Sequence, residues 1–156
     1  MSDLVNKLHD QHISARADAS MDREKYQIAV AACTELSDML LKNIKTQVED
    51  FGLKFGVGLL ELRIPDHTGY DMRVRTQRFP LRTMRYKFGA ARLDYVKEFK
   101  ATHDAPLEMT KGTVLVQSDF NQICWYQHQG KKLMTTDDLA DMLLLEVFEQ
   151  AANPTA

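Results

Sequence analysis

Residues 72–88 read MRVRTQRFPLRTMRYKF, and apolar and cationic side chains alternate in them on both sides of Pro80. Successive side chains of a strand point to opposite faces of a sheet, so Met72 and Val74 would share a face that the neighbouring arginines do not. Two alternating runs on either side of a turn-forming proline predict two adjacent antiparallel strands. The stretch therefore predicts an antiparallel sheet with one apolar face and one cationic face.

The alternating pattern extends beyond these two runs in both directions. In the run GVGLLELRI, Leu60 and Leu62 alternate with charged residues, and the turn residues PDHTG follow. We expect five or six largely antiparallel strands over residues 56–129, at about 56–64, 70–79, 81–88, 92–101, 112–119 and 122–129. The region 89–101 stays open between strand and helix, because its apolar and aromatic residues fit both spacings.

The first third of the chain has a helical pattern. Residues 1–51 contain neither Gly nor Pro, and apolar side chains recur in them at helical spacing. We expect two helices, at about 3–16 and 21–50, divided at RADAS (16–20), where small and polar residues interrupt the apolar spacing. Ser20 is a suitable N-cap for the second of them.

A further helical pattern follows the predicted sheet. Thr135, with Asp138 three residues later, is typical of a capping box at the start of a helix, and apolar residues recur after it. We expect a helix at about 136–150 and a frayed tail at 152–156. The order of elements predicts a single α+β domain over residues 1–151, with helices on one face of the sheet and solvent on the other.

The predicted helix at 21–50 carries a stripe of side chains at alternating steps of four and three, which is the spacing of a coiled-coil seam. The stripe comprises Tyr26, Val30, Cys33, Ser37, Leu40, Ile44, Gln47 and Phe51. Such a stripe packs either on the sheet of its own chain or on a second subunit, and a helix of this length spans about 45 Å, more than a small domain covers. The predicted contacts with a partner or a second copy are Tyr26, Val30, Leu40 and Ile44.

The charge of the chain is unevenly distributed. The 156 residues include 20 basic and 22 acidic residues, for a net charge of −2, but residues 72–88 contain six basic residues and no acidic one. The rest of the chain therefore carries 14 − 22 = −8. A cationic sheet face is typical of a protein that binds an anionic macromolecule, such as a nucleic acid or an acidic protein surface. The predicted anion-binding residues are Arg73, Arg75, Arg78, Arg82, Arg85 and Lys87.

The cationic face has an alternative interpretation that involves no partner. Like charges on neighbouring strands repel one another and lower stability. Glu61, Glu98 or the acidic helices would remove this repulsion if they neutralised the arginines within the fold. The sequence leaves both interpretations open.

A short pattern resembles the active-site signature of the restriction-endonuclease-like nucleases. It consists of Pro65-Asp66 after a strand and Glu98-Phe99-Lys100 in a later one. The resemblance implies that Asp66 and Glu98 hold a divalent metal and that Lys100 positions the attacking water. The ordinary alternative is that Asp66 is a turn residue and that Glu98 and Lys100 lie on the exposed side of a strand.

Other features bear on catalysis and location. No Gly-rich phosphate loop, dinucleotide-binding fingerprint or nucleophile elbow occurs in the sequence, so no cofactor and no metal is expected outside the nuclease-like pattern. Cys33 and Cys124 match no metal or disulfide spacing, which predicts free thiols in a reducing, cytoplasmic environment. The apolar runs are shorter than the roughly 18–20 residues that cross a bilayer, so no membrane contact is expected. Trp125 is expected in the core.

These patterns lead to three hypotheses. The first is a non-catalytic binding or regulatory protein that binds an anionic macromolecule through the cationic sheet face. The second is a homodimeric adaptor or chaperone-like protein that binds another protein, with the long helix as its subunit contact. The third is a metal-dependent nuclease, in which Asp66, Glu98 and Lys100 are the catalytic residues.

Overall fold

The computed structural model describes residues 2–119, 122–127 and 132–153. In these residues the chain is an α+β protein with a long helix, one seven-stranded antiparallel sheet and a closing helix. The elements are α1 (Ser2–Phe55), β1 (Leu60–Arg63), β2 (Met72–Thr76), β3 (Leu81–Gly89), β4 (Arg92–Lys100), β5 (Glu108–Asp119), β6 (Gln122–Gln127), β7 (Lys132–Met134) and α2 (Thr136–Ala152). The predicted fold class is confirmed.

The sheet is a meander in which each strand pairs antiparallel with the next one along the chain, from β1 to β7. The two alternating runs around Pro80 are β2 and β3, and Val74 lies opposite Met84 on the apolar face. The region left open between strand and helix contains β4, which pairs with β3 along its whole length. The predicted count of five or six strands is too low, because the three residues of β7 are too few to form a recognisable alternating run.

The structure of α1 corrects the prediction of two helices. The backbone is helical through 16–20 without a break, because this segment contains no Gly or Pro and its alanines favour the helix. Ser20 is therefore an internal residue of the helix and not an N-cap. The helix also continues past Gly52 and ends before Gly56, which has a φ of 128° and donates its backbone N–H to the Gly52 carbonyl oxygen at 3.0 Å.

Both helices pack on one face of the sheet, and the core lies between them and the strands. From α1 the core receives a stripe that includes Ala29, Leu40, Ile44 and Phe51. From α2 and the sheet it receives Leu139, Leu143, Val147, Met72, Val74, Met84, Tyr86 and Leu93. Trp125 is fully buried in this core, as predicted, and its Nε1–H donates to the Thr136 hydroxyl at 3.1 Å. The apolar face of the sheet is thus covered by helices.

The ends of α2 follow from its local sequence. The Asp138 backbone N–H donates to the Thr135 hydroxyl at 3.1 Å, and the Asp138 carboxylate accepts from the Thr135 backbone N–H, so the predicted capping box is confirmed. The helix ends at Ala152, slightly beyond the predicted end, with Asn153 as its C-cap. The last three residues of the predicted tail, 154–156, lie outside the described residues.

The other face of the sheet, which we call the outer face, carries the charged side chains of β1 to β3. Glu61 of β1 lies opposite Arg75 of β2, and Arg73 lies opposite Arg85 of β3. The connection between β1 and β2 folds over part of this face and places Asp66 there with only 3% of its surface exposed. The alternation predicted for Arg73, Arg75, Arg85 and Lys87 therefore holds, but the face also includes carboxylates, of which Asp66 is buried.

Candidate functional site

Glu61 accepts hydrogen bonds from several cationic side chains of the outer face. Arg73 Nη2 donates to Oε1 at 2.6 Å, and Arg75 Nη2 donates to Oε2 at 3.0 Å. Arg63 Nε donates to Oε1 as well, and the Gln77 amide donates to Oε2 at 3.2 Å. The Arg73 side chain is only 7% exposed, so its charge is compensated mainly by this carboxylate.

Arg85 lies between two further carboxylates. Its Nε is 3.3 Å from Asp66 Oδ2, and its Nη1 is 3.4 Å from Glu98 Oε1. The loop holds Asp66 in place, because the Thr68 backbone N–H donates to Oδ1 at 2.9 Å. The Tyr70 ring lies 5.8 Å from the Arg85 guanidinium carbon. The outer face thus carries two adjacent ion-pair clusters, one around Glu61 and one around Arg85. Together we call them the outer-face charge network, which comprises Glu61, Asp66, Arg73, Arg75, Arg85 and Glu98.

The network alters the acidity of its carboxylates. Burial alone would raise the pKa of Glu61, but hydrogen bonds from Arg63, Arg75 and Arg73 outweigh burial and lower the pKa to about 2. Burial also opposes ionisation of Asp66, and hydrogen bonds from Thr68 together with the charge of Arg85 lower its pKa below the ordinary value. Both carboxylates are therefore ionised at neutral pH.

The network makes the free energy of unfolding depend on pH. Because the folded-state pKa of Glu61, about 2, lies below its ordinary value of 4.5, this carboxylate stabilises the fold above that value and loses its effect as the pH falls towards 2. We expect the free energy of unfolding, measured by urea denaturation at about pH 6, 4 and 3, to decrease at each step. The decrease should be smaller in Glu61→Gln, whose side chain does not titrate. Equal pH dependence in this variant and the parent would contradict the assignment.

The structure divides the six predicted anion-binding residues into separate groups. Arg73, Arg75 and Arg85 are paired with carboxylates in the network. Arg82 lies in β3, on the opposite face from Arg85, with its guanidinium carbon 4.3 Å from the centre of the Phe99 ring. The side chains of Arg78 and Lys87 are exposed and have no ion pair or hydrogen bond within residues 2–119, 122–127 and 132–153. Carboxylates distant in sequence are therefore paired with three of the six predicted residues, as the alternative interpretation of the cationic face expects.

The nuclease-like residues come together in part. Asp66 and Glu98 lie on either side of the Arg85 guanidinium, which occupies the space between them where a metal ion would have to bind. Lys100 is at the end of β4, two residues beyond Glu98. In the part of the chain that the structure describes, no group of three or more His, Cys, Asp or Glu side chains is arranged to hold a metal ion. The residues present do not fit a metal-dependent nuclease site.

The predicted subunit contacts fall into two pairs. Leu40 and Ile44 are completely buried in the core of their own chain, so they are not available to a partner. Tyr26 and Val30, nearer the start of α1, are 53% and 37% exposed. The predicted stripe is therefore exposed at Tyr26 and Val30, and it packs on its own domain from Cys33 onwards.

An apolar groove lies where α1 meets β1. The groove, of about 430 Å³, is lined by Val48, Phe51, Leu53, Val57 and Leu60 among others, and we call it the terminal groove. Leu53 is 83% exposed and Val57 is 93% exposed, although both side chains are apolar. Exposed apolar side chains that adjoin one another are typical of a protein contact.

A second groove, of about 540 Å³, lies on the outer face over β3, β4 and β5, and we call it the outer groove. Its lining includes Tyr70, Lys87, Arg92, Asp94, Val96, Lys111 and Thr113. Sequence reasoning singled out only Lys87 among these residues. The sequence shows the alternation within β4 and β5. It does not show the register between the two strands, which sets Lys111 opposite Val96.

The fold and these sites define an α+β protein with a helix-covered sheet and a charged outer face. Comparison with models of protein families, with curated proteins and with solved structures found no match for this chain. Among the residues with a described structure, no helix has the length and apolar character needed to cross a membrane. A functional proposal for this chain is therefore argued from its own geometry.

Proposed function

We propose that the protein is a non-catalytic homodimer that binds another protein, as an adaptor or chaperone does, and that the first half of α1 joins the two subunits. One observation carries the proposal. Every side chain described before Ala29, at residues 4–8 and 23–28, is exposed, whereas the buried stripe of α1 begins at Ala29. About 40 Å of helix thus precedes the part that packs on the sheet.

A helix of this kind needs support from outside its own domain. Helices in water gain most of their stability from packing an apolar face, and isolated helices are only marginally stable. Leu8 and Tyr26 are separated by 18 residues, which is five full turns, and Tyr26 precedes the buried Ala29 by three. The face that packs on the sheet after Ala29 therefore continues towards the start of the helix, where Leu8 and Tyr26 are 56% and 53% exposed.

The charge of this half of α1 favours a second copy as the partner. Residues 2–28 contain four basic and five acidic residues, so their net charge is −1. The basic residues are Lys7, Arg16, Arg23 and Lys25, and the acidic ones are Asp3, Asp10, Asp18, Asp22 and Glu24. Two such helices would not repel each other strongly, because the charges of this half are mixed in sign and nearly balanced.

The terminal groove is the surface that we assign to the protein partner. It adjoins β1, which lies at the edge of the sheet, and no strand in the described part of the chain pairs with β1 on that side. An extended segment of a partner would pair with β1 and place alternate apolar side chains in the groove, which is the usual mode of strand addition. This chemistry requires a partner segment with apolar residues at every second position.

The other hypotheses receive less support. Binding of a nucleic acid or an acidic protein across the whole cationic face would compete with Glu61, Asp66 and Glu98 for the same arginines. Metal-dependent cleavage would need to displace Arg85 from between two carboxylates. We propose a cytoplasmic location, since Cys33 is a buried free thiol in a chain whose described residues contain no disulfide.

The proposal is tested by the mass of the protein in solution. We expect light scattering after size-exclusion chromatography to give about 36 kDa, twice the chain mass of 17.9 kDa. The double variant Leu8→Glu/Tyr26→Glu should give the mass of one chain, because carboxylates would be buried in the seam.

The control is Ile28→Glu, which should remain dimeric. Ile28 is 45% exposed and lies two residues from Tyr26, so it faces away from the seam. A mass of one chain for the parent protein, or loss of the dimer in the control as well, would refute the proposed contact.

A further inference from the structure

We propose that the outer groove binds a small phosphorylated molecule, whose phosphate groups lie between Lys87 and Lys111. Both lysines are exposed at the groove, and neither side chain has an ion pair or hydrogen bond anywhere in the described part of the chain. The arginines of the adjoining outer-face charge network, in contrast, are all paired. The two lysines are thus uncompensated positive charges beside a neutralised surface.

The strand register brings the two lysines to the same groove. Lys87 of β3 lies opposite Asp94 of β4, and Lys111 of β5 lies opposite Val96. With neighbouring strands about 4.8 Å apart and about 3.4 Å per residue along a strand, their Cα atoms are about 12 Å apart. Their long side chains rise from the same face and can both reach a ligand held over β4.

The acidic residue of the groove does not compete for these lysines. Asp94 accepts from the Thr113 hydroxyl at 2.8 Å and lies 3.0 Å from Arg92 Nη2, so its charge is already compensated. Glu98, farther along the same face of β4, is paired with Arg85. Because Arg92 compensates Asp94, the groove retains about two positive charges from the two lysines, which matches the charge of about −2 on one phosphate monoester.

The floor and wall of the groove set the size and character of the ligand. Val96 is 6% exposed and forms an apolar floor between the two lysines, and the Tyr70 ring lines one side. A volume of about 540 Å³ fits a molecule of nucleotide size. A ligand with a planar apolar part beside its phosphates would use the ring, the floor and the lysines together.

The test is isothermal titration calorimetry with ADP and with inorganic pyrophosphate at low salt. We expect saturable binding of ADP, and at least a roughly tenfold weaker affinity in Lys87→Met/Lys111→Met, because each lost charged contact removes a substantial part of the binding free energy. This double variant should unfold at the same urea concentration as the parent, since neither lysine has a partner among the residues that the structure describes. Binding of pyrophosphate alone would support the phosphate site and refute the role of the Tyr70 ring.

A matched control distinguishes binding at the outer groove from nonspecific attraction to positive charge. Lys42→Met/Lys45→Met removes the same two charges from exposed positions of α1, on the other side of the sheet. Undiminished ADP affinity in this control would support the site, and a loss equal to that of the groove variant would refute it. Absence of binding by either probe at about 5 mM would also refute it. Binding of a labelled oligonucleotide through the same lysines, far tighter than that of ADP, would overturn the small-molecule assignment in favour of a nucleic acid.

Discussion

Replacement of Glu61 by alanine is expected to lower the free energy of unfolding by about 3 kcal/mol or more. The substitution removes the carboxylate that accepts from Arg73 at 2.6 Å and from Arg75 at 3.0 Å. Arg73, which is only 7% exposed, would then be a buried cation without its main partner. Urea denaturation followed by circular dichroism at pH 7 and one protomer concentration would measure the loss.

The control for this variant is Glu35→Ala. Glu35 is exposed on α1 and has no ion pair in the described residues, so its loss should change stability by less than about 0.5 kcal/mol. Arg73→Met combined with Glu61→Gln should cost less than the two single changes added together, because the double variant no longer leaves the buried Arg73 charge without its carboxylate. If Glu61→Ala is as stable as the parent, the outer-face charge network does not stabilise the fold.

Replacement of Leu40 by alanine is expected to cost about 2–5 kcal/mol. Leu40 is fully buried where α1 packs on the sheet, so the shorter side chain would leave a cavity in the core. Loss of stability should occur without loss of the dimer, since the residue lies within its own domain. Denaturation at fixed protomer concentration and the mass in solution measure the two effects separately.

Met39→Ala provides the comparison for Leu40→Ala. Met39 is the preceding residue of the same helix and is 49% exposed, and both substitutions replace a long side chain with alanine. We expect a change within about 1 kcal/mol for Met39→Ala. The opposite result would be a dimer that dissociates in Leu40→Ala while the stability of the subunit is unchanged. In that case Leu40 would belong to the subunit contact, as its place in the helical stripe predicts.

The proposed dimer and the proposed ligand site are independent of each other. The first depends on the exposed half of α1, and the second on the outer face of the sheet, which lies on the side away from both helices. A monomeric protein that binds ADP would contradict the proposed dimer and support the ligand site. A dimer that does not bind ADP would do the reverse. A protein with both properties would be a homodimer that also binds a phosphorylated small molecule.

The sequence by itself determined the fold class, the approximate positions of six of the seven strands and most of the side-chain alternation of β2 and β3. Alternation at a period of two is a local property, and in residues 72–88 the apolar Met72, Val74 and Met84 face the helices while Arg73, Arg75 and Arg85 face the other side. The same is true of the capping box at Thr135 and Asp138, in which both partners lie within one turn. The absence of Gly and Pro from the start of the chain likewise indicated helix. It did not indicate that the small residues at 16–20 would continue the helix, because alanine occurs in helices and at their boundaries alike.

Only the tertiary structure decided which charges are free and which are paired. Glu61, Asp66 and Glu98 are far from one another in sequence, and the strand register together with the fold of the β1–β2 connection brings them to Arg73, Arg75 and Arg85. Charge compensation depends on distances of a few ångströms between side chains, and a pattern along one strand contains no information about its neighbour. For the same reason the sequence showed a cationic stretch, whereas the structure leaves Lys87 and Lys111 as the unpaired cations at the outer groove.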